Sequence, residues 1–149
     1  MRVGFVGLGL MGLPIARHFA AAGHRLFVAS GSRAPLDELA ALGATVCASP
    51  REIAPQVEIF FSCRVTPEQS RQTFLGEDGI LATAASGMLC VDLATTDPET
   101  ARDIAAQLER MRERTPRGGT KWNASSVKQQ LDQARRAGLT LPTSLQDAE

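Results

Sequence analysis

Two hydrophobic patterns alternate along this chain: short unbroken apolar runs, and longer stretches in which apolar residues recur at helical spacing. Residues 2–7, RVGFVG, form a β-branched run of the kind expected for a parallel strand covered on both faces. Over residues 11–22, Met11, Ile15, Phe19 and Ala22 recur at helical intervals, which predicts a helix closed by Gly23. HRLFVAS (residues 24–30) reads as the second strand, residues 36–42 as a helix closing at Gly43, and ATVCA (44–48) as the third strand. A short helix is expected after Ser49-Pro50, where serine caps and proline takes the first turn. VEIFFSC (57–63) is the fourth strand, followed by a helix over 67–74, the loop GEDG and a short helical piece. GMLCVDLA (87–94) is the fifth strand, and a longer helix starts near Asp97-Pro98 and runs toward Met111. Strands alternating with helices of this length predict an α/β fold, a doubly wound parallel sheet of about five strands with right-handed crossovers.

Beyond residue 110 the pattern changes. Thr115-Pro116-Arg117-Gly118-Gly119 breaks any helix, and Ser125 then caps an expected helix carrying Val127, Leu131 and Ala134 and ending at Gly138. Charge shifts at the same place. Residues 1–109 hold eight arginines, no lysine and twelve carboxylates, whereas the last forty hold eight basic and four acidic residues, both lysines and the one tryptophan. The chain therefore divides into a domain over residues 1–109 and a basic, partly disordered helical tail over 110–149. Of the 149 residues 44% are hydrophobic, enough for a core, and no apolar run approaches the roughly 20 residues of a membrane span. Three widely spaced cysteines, Cys47, Cys63 and Cys90, form no CxxC pair, which fits a reducing, cytoplasmic compartment.

The candidate chemistry lies at the first strand–helix junction. GLGLMG, residues 7–12, matches GxGxxG, a weak signal alone but one that here follows an expected strand and opens an expected helix. Gly7 permits the tight turn, Gly9 lets backbone approach a pyrophosphate, and Gly12 allows close packing of helix on strand. The helix then presents unpaired N–H groups and the positive end of its dipole to the phosphates. Gly7, Leu8, Gly9, Leu10, Met11 and Gly12 are accordingly the expected cofactor loop. Cofactor choice depends on the end of the second strand, where an acid would bond the ribose 2′-hydroxyl of NAD. No acid is present there. Ser30, Ser32 and Arg33 would instead offer two hydroxyls and a guanidinium to a 2′-phosphate, favouring NADP; the plainer alternative is a solvated loop.

The run GFVGLGLMGLPIARHFAAAGH, together with LGATVCASPREIA, FFSC, FLGEDGIL and VDLATTDPETARDIA in that order, resembles the β-hydroxyacid dehydrogenases, the family of 3-hydroxyisobutyrate, tartronate semialdehyde and 6-phosphogluconate dehydrogenases. The resemblance covers about residues 1–109. It implies a Rossmann domain of six or more strands, a following helical domain, and oxidation of a small β-hydroxy acid by hydride transfer to NADP or NAD. By position it places Cys63 and Arg64 beside the cofactor, where relatives usually have Met-Leu, and Thr95 near the nicotinamide. Ser30 and Gly31 stand where many relatives have Asn-Arg, so Arg33 is a candidate substitute for a displaced arginine. Ala94 replaces a serine that in relatives helps bind substrate.

The family's sixth strand, with its Asp-Ala-Pro-Val-Ser-Gly-Gly signature, and its lysine-bearing helical domain are not found after residue 109. Lys121 and Lys128 lack the setting of the family's catalytic lysine, so no catalytic residue is assigned. The expectation is a truncated dinucleotide-binding domain, weakly active or inactive alone, that self-associates through the uncovered, apolar edge of its fifth strand. Residues 115–131 of the tail instead resemble a segment of the large serine recombinases, which raises a nucleic-acid-associated module as the alternative. One short basic helix supplies only a weak, salt-sensitive phosphate contact, so a functionless inherited tail is favoured over a DNA role. His18 and His24 have no second ligand at metal spacing and suit surface or capping roles. Cys47 and Cys90 read as small core residues, and Asp92, at a strand end, as the residue that orders the next turn.

Overall fold

A computed structural model describes residues 1–85 and 87–110. Strands β1 (Arg2–Val6), β2 (Arg25–Ala29), β3 (Thr45–Val46), β4 (Ile59–Ser62) and β5 (Leu89–Asp92) alternate with helices α1 (Gly12–Ala21), α2 (Arg33–Ala41), α3 (Pro50–Ile53), α4 (Pro67–Leu75) and α5 (Pro98–Arg110). All four strand pairings are parallel, in the order β3-β2-β1-β4-β5. β1 stands at the centre and the chain winds outward from it in both directions, which is the doubly wound sheet that the alternating pattern predicts.

Side chains alternate across a strand, so β1 divides the core between the two faces of the sheet. Val3 and Phe5 pack with Leu26, Val28, Ala16 of α1 and Leu39 of α2. Val6 lies in the opposite cluster with Phe27, Phe60, Ile53 of α3, Phe74 of α4 and Leu108 of α5. Phe5, Phe60 and Phe74 are almost wholly withdrawn from solvent, each such burial stabilising the fold by about 1.5–3 kcal/mol. The rings of Phe60 and Phe74 meet edge-on, with centroids 5.9 Å apart, and fix α4 over β4.

Helix ends follow local chemistry. After α1, Gly23 N donates to Ala20 O and His24 N to Phe19 O, and after α2, Gly43 N donates to Ala40 O and Ala44 N to Leu39 O. Both are Schellman closures around a glycine of positive φ. His18 lies in the last turn of α1, and His24 rests against the ring of Phe19. Thr66 caps α4 by accepting from Gln69 N, and Asp97 caps α5 by accepting from Glu99 N and Thr100 N at 2.9 Å.

Several details differ from the sequence expectations. Met11 precedes α1 and is 68% exposed, while Ala22 lies past its end and is exposed too. The buried stripe is Gly12 and Ala16, flanked by half-buried Leu13, Ile15, Phe19 and Ala20. α2 begins at Arg33 rather than Leu36. β3 shrinks to two exposed residues, as it lies at the sheet's edge with one neighbouring strand. Ser49 occupies the position before α3 without a side-chain cap; Glu52 reaches back instead and accepts from Ala48 N at 2.8 Å. The expected tail helix, Lys121 and Lys128 lie outside the described residues.

Candidate functional site

The carboxyl ends of parallel strands form one edge of the sheet, and an α/β ligand binds where neighbouring strands lead away in opposite directions. Here that switch point lies between β1 and β4. Cys63 N donates to Val6 O at 2.9 Å, and Leu93 N donates to Ser62 O at 2.7 Å, which aligns the exits of β1, β4 and β5. In sheet order, the loop carrying Ser30 and Ser32, the residues 7–12 loop, Cys63 with Arg64, and Thr95 thus stand side by side. The sheet brings every sequence-derived site residue to the same edge.

The three glycines of the loop are there for different reasons. Gly7 has φ +97°, and a Cβ there would lie 2.1 Å from the carbonyl oxygen of Cys63. Gly12 has no room either, since its Cβ would lie 1.8 Å from Gly7 O and 3.1 Å from the ring of Phe5. These two are fixed by the protein's own packing. Around a Cβ on Gly9, by contrast, no atom of the described residues beyond its chain neighbours lies within 4 Å, and no positive φ demands glycine.

Next to Gly9 the helix begins. Leu13 N donates to Gly9 O at 3.0 Å as the first turn closes, so the amides of Leu10, Met11 and Gly12 precede the first helical hydrogen bond. Neither the residue before α1 nor its first turn supplies a competing acid: Met11 makes no side-chain cap, and the first turn has no acidic residue. Donors and dipole are left for an external anion. Leu8 is buried in the core cluster of Val3, Phe5 and Leu39, so it takes part in the loop through backbone alone. Leu10, 99% exposed, and Met11 rise from the loop as apolar side chains.

On the β2 side, Ser30 Oγ accepts from Ser32 N at 3.2 Å and shapes the turn into α2. Arg33, in the first turn of α2, is exposed and paired with Asp37 at 2.8 Å. That pair is a consequence of the helix starting at residue 33, which puts Asp37 one turn on; the sequence expectation left Arg33 in the loop. On the β4 side, Cys63 is half-buried, and burial, followed by the charge of Asp92, pushes its thiol above the ordinary range. Burial also lowers the pKa of the half-buried Arg64, whose Nε is enclosed and donates to no acceptor. Asp92 accepts from Ala94 N at 3.2 Å and from Thr96 Oγ1 at 2.9 Å, which orders the turn as expected and leaves Thr95 exposed beyond it. Among the described residues no group of three or more His, Cys, Asp or Glu could hold a metal ion, and no helix is long and apolar enough to cross a membrane.

The family model for the NAD binding domain of 6-phosphogluconate dehydrogenase matches residues 2–115. A probable mitochondrial 3-hydroxyisobutyrate dehydrogenase of Dictyostelium discoideum is 35% identical over 104 residues, covering 70% of this chain and 32% of the relative. The crystal structure of 3-hydroxyisobutyrate dehydrogenase from Salmonella typhimurium superposes with a TM-score of 0.68 at 32% identity, over 74% of this chain and 39% of that one. Psf3 in complex with NADP+ and 2-OPP superposes with a TM-score of 0.66 at 31% identity, over 72% and 38%. The chain spans between 18% and 38% of the length of the curated relatives it matches. With the doubly wound sheet, the glycine corner at its switch point and a match over residues 2–115, the chain belongs to the family of the NAD binding domain of 6-phosphogluconate dehydrogenase and its 3-hydroxyisobutyrate dehydrogenase relatives.

Proposed function

We propose that this chain holds NADP or NAD across the carboxyl edge of its sheet and forms the nucleotide-binding half of an oxidoreductase acting on a small β-hydroxy acid. The observation that carries the proposal is Gly9, a glycine that no contact among the described residues and no backbone strain requires, at the mouth of a helix whose first amides precede its first hydrogen bond. A side chain there would fill the ground over which a pyrophosphate must pass to reach those donors. The amides of Leu10, Met11 and Gly12 hold the phosphates, and Ser30, Ser32 and Arg33 face the adenosine ribose. Cys63, Arg64 and Thr95 border the opposite half of the cofactor. Bound there, the nicotinamide supplies a hydride acceptor or donor; the protein's part is to orient it.

NADP is preferred over NAD because no carboxylate follows β2 to bond a 2′-hydroxyl. The preference is modest, since Asp37 already pairs with Arg33. The wide spacing of Cys47, Cys63 and Cys90, with no CxxC pair, fits a reducing compartment such as the cytoplasm. The outer edge of β5 is proposed as a self-association surface.

Titrating the purified chain with NADPH and NADH, followed by cofactor fluorescence, tests the assignment. The expected result is saturable, submillimolar binding that Gly9→Ala weakens at least about tenfold with no change in the melting temperature of the free protein. Failure of the parent chain to bind either dinucleotide, or full binding by Gly9→Ala, overturns it.

A further inference from the structure

Arg64 follows the residue whose backbone abuts the glycine corner. The residue before it, Cys63, presses its backbone on Gly7 so closely that a methyl group on Gly7 would lie 2.1 Å from the Cys63 carbonyl oxygen. Other arginines of the described residues are engaged: Arg2 with Glu58, Arg17 with Glu38, Arg33 with Asp37, Arg71 with Asp103, Arg51 with the carbonyl of Glu77, and Arg110 with Gln107. Arg25 and Arg102 are exposed to solvent. Arg64 differs from all of them, because it is half-buried, its Nε is enclosed, and that nitrogen has no acceptor.

Three further enclosed polar atoms lack partners: the hydroxyls of Ser62, Ser70 and Thr73 on β4 and α4. Those are neutral. Leaving a charged donor without an acceptor costs more than leaving a hydroxyl so, and a guanidinium cannot shed its proton to escape the cost at neutral pH. A cation kept in such a place implies an anion that meets it in the functional state. Dinucleotide-binding corners of this type hold pyrophosphate with backbone amides and need no cationic side chain.

We propose that Arg64 pairs with the pyrophosphate of the bound dinucleotide from the β4 side, opposite the amides of α1, as a specificity-determining residue for the charged linker. The inference rests on the dinucleotide assignment made above. Pyrophosphate is favoured over the 2′-phosphate because β1, not β2, is the strand whose exit adjoins Arg64. The pair forms only on binding and is partly shielded, so it strengthens affinity for every dinucleotide, with or without a 2′-phosphate.

The test compares the full 149-residue chain with Arg64→Leu and Arg64→Lys, titrated with NADH and NADPH at low and high potassium chloride. Arg64→Leu is expected to weaken both dinucleotides by a similar factor, on the order of tenfold, and to flatten the salt dependence of binding; Arg64→Lys restores part of the loss. Unligated melting temperatures within a few degrees of the parent exclude a folding defect as the cause, and if Arg64→Leu melts early the Arg64→Lys titration decides alone. A parent chain that binds while its variants bind equally well overturns this role for Arg64 and leaves the dinucleotide assignment standing. A loss confined to NADPH moves the contact to the 2′-phosphate and also overturns it. A parent chain that binds neither dinucleotide removes the assignment itself.

Discussion

At the scale of single residues, a motif of three glycines resolves into two kinds of position. Gly7 and Gly12 are required by the fold, since a methyl group on either would overlap a backbone carbonyl oxygen. Gly12→Ala is expected to destabilise the chain by more than about 4 kcal/mol, the range reserved for severe internal substitutions, and denaturant unfolding measures it directly. Cys63 offers a second test. Burial and the nearby charge of Asp92 both disfavour its thiolate, so the neutral thiol persists to higher pH than in an open cysteine. Alkylation of Cys63, followed by mass spectrometry across a pH series, should therefore set in above the ordinary cysteine midpoint of about 8.5; a midpoint below that value contradicts the geometry. The spacing of the glycines was legible in the sequence, as was the turn-ordering role of Asp92. What was not legible was anything set by a neighbour from another element: the carbonyl of Cys63 against Gly7, the burial of Leu8, or the acceptorless Nε of Arg64.

At the scale of elements, capping explains where the helices begin. Asp97 accepts from the amides of Thr100 and Glu99, and these bonds hold its carboxyl below the usual carboxylate range. A carboxyl whose folded pKa is depressed stabilises the fold at neutral pH, and its contribution is lost as pH falls through the acid range. Asp97→Asn keeps an acceptor and removes the titration, so its acid unfolding curve should be shallower than the parent's at matched neutral stability. Thr66→Ala removes the acceptor for Gln69 N and is expected to cost about 1 kcal/mol, seen as a melting temperature a few degrees lower with dinucleotide affinity unchanged. Among the described residues, apolar runs found all five strands, and apolar spacing together with start signals such as Ser49-Pro50 found all five helices. It misjudged β3, which shrinks at the exposed margin of the sheet, and the start of α2, whose first residues, Arg33, Ala34 and Pro35, carry no large apolar side chain to mark it. Ser49 looked like a cap by residue type, yet its side chain makes no cap bond, and Glu52 of the first turn accepts from Ala48 N ahead of the helix.

At the scale of the whole molecule, the sheet order leaves β3 at one margin and β5 at the other. β3 is short and exposed, a poor template for further pairing. β5 is longer, apolar in sequence, half-buried, and pairs with β4. An apolar strand at the margin of a sheet is a natural contact surface, so concentration-dependent self-association is the expected outcome at tens of micromolar. Sedimentation velocity reports it, and a monodisperse monomer at that concentration contradicts it. Surface ion pairs such as Arg17 with Glu38, which ties α1 to α2, add little to this balance, because solvent screens them.

The unequal standing of the three glycines also bears on how this corner would change under different selection. In a library of the chain screened only for soluble expression, substitutions at residues 7 and 12 should disappear, whereas residue 9 should fill freely with alanine, serine and larger side chains. Screened for retention on immobilised nicotinamide nucleotide, the same library should lose all three. The difference between the two surviving populations at that single codon would record whether ancestors of this chain were kept for their shape or for what they hold.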